Sequence, residues 1–117
     1  MRDGPIVNKS IEFAVSIFNY CEFLNSKRQF VIANQLFKSG TSIGANVFEA
    51  QYAESRLDFI HKMKIALKEA NETLYWLTLC EKMDDLKVRH AMFNSLKEIM
   101  SILSRIIITS KKNQNLN

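Results

Sequence analysis

Proline occurs once in this chain of 117 residues, glycine three times and cysteine twice. Pro5 precedes the first periodic segment, so no helix interior is broken by a missing amide. So few turn-formers mean long elements and few connections, which argues against a sheet of many short strands. Cys21 and Cys80 sit inside helical patterns, with no CxxC or Cys/His cluster for a zinc site. Both read as reduced core residues of a cytosolic protein. No apolar run reaches the roughly 18 residues that a membrane span needs. The opening residues MRDGPIVNKS lack the apolar core of a signal peptide. The expectation is a cytoplasmic protein without membrane contact. Excess charge is modest too, with 16 basic against 12 acidic residues, a net charge of +4. That balance permits contact with nucleic acid without demanding it.

Apolar residues make up 47% of the chain, enough for a real core in a single domain. Their spacing predicts four helices. The first runs from about Asn8, its expected N-cap, to Leu24. Val7, Ile11, Ala14, Phe18 and Cys21 form one stripe, and Phe13, Ile17, Tyr20 and Leu24 a second beside it. So wide an arc suits a helix covered by more than one neighbour. The second helix starts near Arg28 and carries Phe30, Ala33, Leu36, Phe37, Ile43 and Val47 toward Ala50. Ser55-Arg56-Leu57-Asp58 resembles a capping box and opens the third helix, which runs to about Lys82. Ile60, Met63, Leu67, Ala70, Leu74 and Leu77 form its seam. Asp84 or Asp85 is the expected cap of the fourth, whose seam is Met92, Leu96, Ile99, Leu103 and Ile106. The fold class that follows is all-α, an antiparallel up-down-up-down four-helix bundle over residues 1–117. Residues 1–7 and 111–117 are expected to be frayed tails.

Gly40 and Gly44 lie four apart inside the second helical run. Each costs about 1 kcal/mol relative to alanine in a helix. Such a cost is accepted where another backbone must come close or the helix must bend. Gly40, Gly44 and Asn46 are therefore read as a close helix–helix contact, set beside the seam of the third helix. A bend at Gly40–Ser42 and a break into two short helices both remain open. Asn46, Glu49, Glu69, Glu72 and Thr73 could form a polar network between the second and third helices.

At about 100° per residue, Ile65, Trp76 and Leu79 lie opposite the seam of the third helix. A monomeric bundle has no use for tryptophan on its outer face, and the three are expected to form a subunit interface. The alternative is that helix crossing or the chain ends cover Trp76 within one subunit.

No catalytic set is visible. His61 and His90 stand apart, without HExxH or Glu-x-x-His spacing. Ser39, Thr41 and Ser42 lack the G-x-S-x-G arrangement, and no Gly-Lys-Ser/Thr follows Gly40–Gly44. Enzyme activity, cofactor and metal are therefore not expected. The basic residues are Lys27, Arg28, Lys38, Lys87, Arg89, Lys97, Arg105, Lys111 and Lys112, besides others balanced by acids. Lys27 and Arg28 at the start of the second helix are expected to meet Lys111 and Lys112 at one bundle end. With Lys38 and Arg105 these are the candidate nucleic-acid contacts. No aromatic stacking platform accompanies them in the sequence.

The run Gln35 to Ala50 carries a resemblance, as does Ser55-x-x-Asp58-Phe59-x-x-Lys62-Met63-x-Ile65-Ala66-Leu67-Lys68-Glu69-Ala70-x-Glu72-Thr73-x-Tyr75-Trp76-Leu77. The chain is similar to the bacterial four-helix-bundle proteins first noticed in intervening sequences of 23S ribosomal RNA genes. The accessory variability proteins of diversity-generating retroelements look like relatives of these. The resemblance spans about residues 9–108. It implies an antiparallel bundle that assembles as a ring-like homopentamer, without enzyme activity. It also implies nucleic-acid binding through a basic surface, which in the retroelement relatives also engages a reverse transcriptase. Lys38 stands where an arginine is common, and Phe48 and Tyr52 where basic residues are frequent. Two readings follow: a homo-oligomeric bundle that binds RNA or DNA weakly, or a protein-interaction scaffold whose partner is encoded nearby.

Overall fold

The computed structural model describes residues 4–116. Four helices follow in order: α1 (Pro5–Ser26), α2 (Phe30–Ala50), α3 (Arg56–Glu81) and α4 (His90–Leu116), with a 3₁₀ turn at Asp84–Leu86 between the last two. Each packs antiparallel to the next, and α1 closes against α4. The result is an up-down-up-down bundle drawn out to 52 × 21 × 20 Å.

Helix α1 begins three residues earlier than the sequence suggests. Pro5 occupies the first turn, where its fixed φ fits a helix and its missing amide would have had no partner anyway. Gly4 is the N-cap, and its carbonyl accepts the Val7 amide at 3.0 Å. Asn8 is therefore inside the helix. Ile6 and Val7 are buried in the core, which holds this turn in place and corrects the expectation of a frayed segment through residue 7. Residues 1–3 of that expected tail lie outside the described residues.

At its other end α1 closes with paired bonds: the Gln29 amide to the Leu24 carbonyl and the Arg28 amide to the Asn25 carbonyl, both 2.9 Å. This is a Schellman motif, which calls for a left-handed residue. Arg28 takes that role with φ 61°, where glycine is the usual choice. Helix α2 then runs unbroken through Gly40 to Ala50, so the break into two helices does not occur. Ser55 caps α3 as its sequence suggests, its hydroxyl accepting the Asp58 amide at 3.1 Å.

Asp84 and Asp85 do not cap α4. They form the 3₁₀ turn, and α4 starts at His90. The reason lies in Leu86 and Val88, both buried, which pull this segment onto the core before the helix can begin. The Tyr20 hydroxyl donates to the Leu86 carbonyl and ties the turn to α1. At its far end α4 continues through Leu116, so residues 111–116 extend the helix instead of fraying, as good helix formers such as Lys and Gln allow. Asn117 lies outside the described residues.

One contiguous core joins Phe13, Ile17 and Leu24 with Leu36, Ile43 and Val47, then Met63 and Leu77, then Leu96, Ile99 and Leu103. Cys21 and Cys80 are buried free thiols within it. Burial pushes the Cys21 thiol up to about 11, and burial raises Cys80 as well.

Candidate functional site

The two glycines meet α1, not α3. A Cβ built on Gly40 would stand 2.8 Å from Cγ1 and Cγ2 of Ile17. One built on Gly44 would lie 3.4 Å from the Ser10 carbonyl oxygen. Ser10 is buried there, its hydroxyl donating to the Val7 carbonyl at 2.9 Å. Spacing identifies the bare face of α2 but not the neighbour that uses it.

Asn46 turns back on its own helix, Nδ2 donating to the Ser42 carbonyl at 2.9 Å. Glu72 accepts from Trp76 Nε1 at 3.1 Å. Of the five residues of the expected network, Asn46 and Glu72 thus bond within their own helices, while Thr73 and Glu49 each take part in a link between α2 and α3. Ser39 and Thr73, both buried, bring their hydroxyl oxygens to 2.9 Å. Glu49 and Lys62 form an exposed ion pair at 3.1 Å. Thr73 Oγ1 also lies 2.8 Å from the Glu69 carbonyl oxygen. Burial first, and the nearby Glu72 charge second, raise the Glu69 carboxyl.

Close approach of α1 and α2 leaves an open apolar groove along their outer side, with a volume of about 720 Å³. Ala14, Gly44 and Ala45 supply small residues; Val15, Phe18, Phe37 and Phe48 supply large ones. Val15 is 56% exposed and Phe18 52%. Phe18 and Phe37 meet edge to face across the groove, ring centroids 5.9 Å apart. The sequence carried the signal. Ile11, Ala14 and Phe18 belong to the outer of the two stripes on the first helix, the part of its wide apolar arc that α2 and α4 do not fully cover.

On α3, Ile65 and Trp76 are half-buried, while Leu79 is 41% exposed. Trp76 rests against the core and meets the exposed Tyr75 edge to face at 5.0 Å. This face is smaller and more broken than the α1–α2 groove.

The basic residues separate into two ends. Helices α2 and α4 run the same way, so the start of α2 shares an end with the start of α4, not with its last turn. Lys27 and Arg28 therefore lie apart from Lys111 and Lys112, which corrects the expected single patch. Lys111 instead sits against Lys64 of α3; their contact and like charge, with minor desolvation, hold its ammonium below the usual lysine range. Lys38 and Arg105 are exposed on the sides of the rod. At the end that holds Lys27 and Arg28, the neighbours are Lys87 and Arg89. No described helix is long and apolar enough to cross a membrane.

These features define a class: a small antiparallel four-helix bundle with an exposed apolar groove between its first two helices. The family described as 23S rRNA-intervening sequence protein matches residues 2–109, and the chain belongs to that family. It is also similar to a crystal structure at 1.70 Å resolution from Bacteroides thetaiotaomicron VPI-5482, described as a protein with unknown function from the S23 ribosomal protein family. The two are 47% identical with a TM-score of 0.80, over 87% of this chain and 97% of that one. Among proteins with curated descriptions none matches.

Proposed function

We propose that this chain is a non-enzymatic accessory protein of the cytoplasm that works as a homo-oligomer, a pentamer by family resemblance, and holds RNA or DNA weakly through its basic residues. The observation that carries the reading is the α1–α2 groove. Ile11, Val15, Phe18, Phe37 and Phe48 leave large apolar surfaces in water in one place. Burying one such side chain is worth about 1.5–3 kcal/mol, so an uncovered row of them favours association. Ile65, Trp76 and Leu79 on α3 offer a second, smaller contact, which suits a ring in which each subunit presents two different faces. Kinship to the accessory proteins of diversity-generating retroelements belongs to the same proposal. Net positive charge supports the nucleic-acid part, and its name links the family to an RNA gene.

Light scattering tests the assembly. A mass of one 13.6 kDa chain at micromolar concentration overturns it. Phe18→Glu is expected to break the oligomer, and Trp76→Ala to weaken it. Titration of labelled RNA at low salt tests binding; phosphate contacts make it fall as salt rises. A second reading, a protein scaffold without nucleic acid, is favoured by the scarcity of polar side chains in the groove. Co-purification of one stoichiometric, nuclease-insensitive protein partner would select it.

A further inference from the structure

A second concavity differs in kind from the α1–α2 groove. It lies between the middle and C-terminal half of α1 and the segment that leads into α4, with a volume of about 400 Å³. That size falls in the range of small-molecule sites. Phe13, Tyr20, Phe23 and Met92 give it an apolar lining, and Lys87 and Arg89 add two cations. Among the described residues no carboxylate lines it. The Tyr20 hydroxyl is occupied by the Leu86 carbonyl, so its ring serves as apolar wall. Phe23 is part-exposed, 5.8 Å from the Tyr20 ring centroid to centroid. Lys27 Nζ stands 5.8 Å from the centroid of Phe23 and brings a third positive charge.

The start of α4 strengthens the case for an anion. Arg89 precedes its first residue, and an arginine side chain has donors only, so it cannot accept a bond from the first-turn amides. No acidic residue stands in that turn. The first turn of this 27-residue helix carries no carboxylate of its own; the Glu81 carboxylate accepts the Val88 amide at 2.8 Å two residues before the helix, and Ala91 and Met92 of the helix line the cleft. Lys87 Nζ donates to the Glu81 backbone carbonyl at 3.0 Å, which steadies the side chain without neutralising it. Among the described residues neither Lys87 nor Arg89 is in an ion pair.

We propose that this cleft takes a nucleoside phosphate, with the base on the apolar wall at Phe23 and the phosphate at Lys87, Arg89 and the start of α4. The proposal rests on the nucleic-acid reading above and gives it a location. Single-stranded RNA and a free nucleotide share this chemistry, and the experiment separates them. Labelled twelve-nucleotide oligouridylate is titrated by fluorescence anisotropy at several salt concentrations. Uridine monophosphate and inorganic phosphate are titrated by amide NMR shifts. The variants are Lys87→Ala with Arg89→Ala, and Phe23→Ala. Phe23→Leu replaces the last if it does not fold, keeping apolar volume without the ring.

The double variant is expected to weaken strand binding at least about tenfold and to lower the salt slope by about 1.4, two phosphate contacts on a single strand. Loss of the Phe23 ring is expected to cost about tenfold with the slope unchanged. Shifts at Lys87–Met92 with the monophosphate, lost in the variants, assign the site to the free nucleotide as well; shifts with the strand alone assign it to the polymer. Inorganic phosphate giving the same shifts and affinity as the monophosphate, unaffected at Phe23, overturns the nucleotide proposal. Strand binding that survives the double variant overturns the cleft while leaving the nucleic-acid reading intact. Wild-type protein that binds no strand and no nucleotide ends both.

Discussion

Against α1, helix α2 presents bare backbone; against α3, it presents a hydroxyl and an exposed carboxylate. Gly40 lets Ile17 approach to a distance that no side chain on α2 would permit. One residue earlier, Ser39 reaches Thr73 at 2.9 Å across an ordinary side-chain interface. Adjacent residues thus serve two kinds of packing. One depends on the absence of atoms, the other on the pairing of polar ones. At Gly40 the first is intolerant of addition, since overpacking forces neighbours off their rotamers. The second tolerates replacement of both partners better than loss of one.

The largest expected effect is at the glycine seam. Gly40→Val should destabilise the fold by about 3 kcal/mol, read as a lower urea midpoint, because its branches would collide with Ile17. An unchanged midpoint would show that α1 and α2 can move apart freely. At the hydroxyl seam, Thr73→Val alone should cost about 1.5 kcal/mol, while Thr73→Val with Ser39→Ala should recover most of it. Additive losses in that double-mutant cycle would mean the hydroxyls act separately on their own helices.

Two smaller changes should stabilise. Arg28→Gly relieves a left-handed residue at the end of α1 and is expected to gain about 1 kcal/mol, measured as a rise in Tm. Gly44→Ala should gain about 0.5 kcal/mol, since its Cβ would meet Ser10 at an ordinary 3.4 Å and helix propensity improves. Opposite signs for substitutions at Gly40 and Gly44 would sharpen the contrast to single-residue resolution. A loss at both would extend the close contact along the whole seam.

Much of this was legible in the sequence. Periodicity gave the four helices, and Ser55 with Asp58 gave the start of α3. The glycines announced a close approach because their cost must be offset somewhere. Which neighbour they approach was not legible, since spacing defines a face and says nothing of what lies across it. The start of α4 was misread because Asp84-Asp85 has the chemistry of a cap, whereas burial of Leu86 and Val88 decides the backbone there. The charge grouping failed for a topological reason: alternate helices of an up-down bundle run in the same direction. For the same reason Lys87 and Arg89, distant from Lys27 in sequence, join it at one end. The aromatic partner of these cations, Phe23, looked like an ordinary member of α1 until the fold set the α4 approach beside it.

The contact between Gly40 and Ile17 also bears on whatever fills the α1–α2 groove. Helices held this closely act as one stiff hairpin, so the walls at Phe18 and Phe37 keep their separation whether the groove is filled or empty. An occupant meets a surface already in its bound shape and gives up little entropy in ordering it. Affinity at the groove is therefore coupled to atoms of the α1–α2 contact that do not line it. A methyl group added at Gly40 would blunt association without touching the partner.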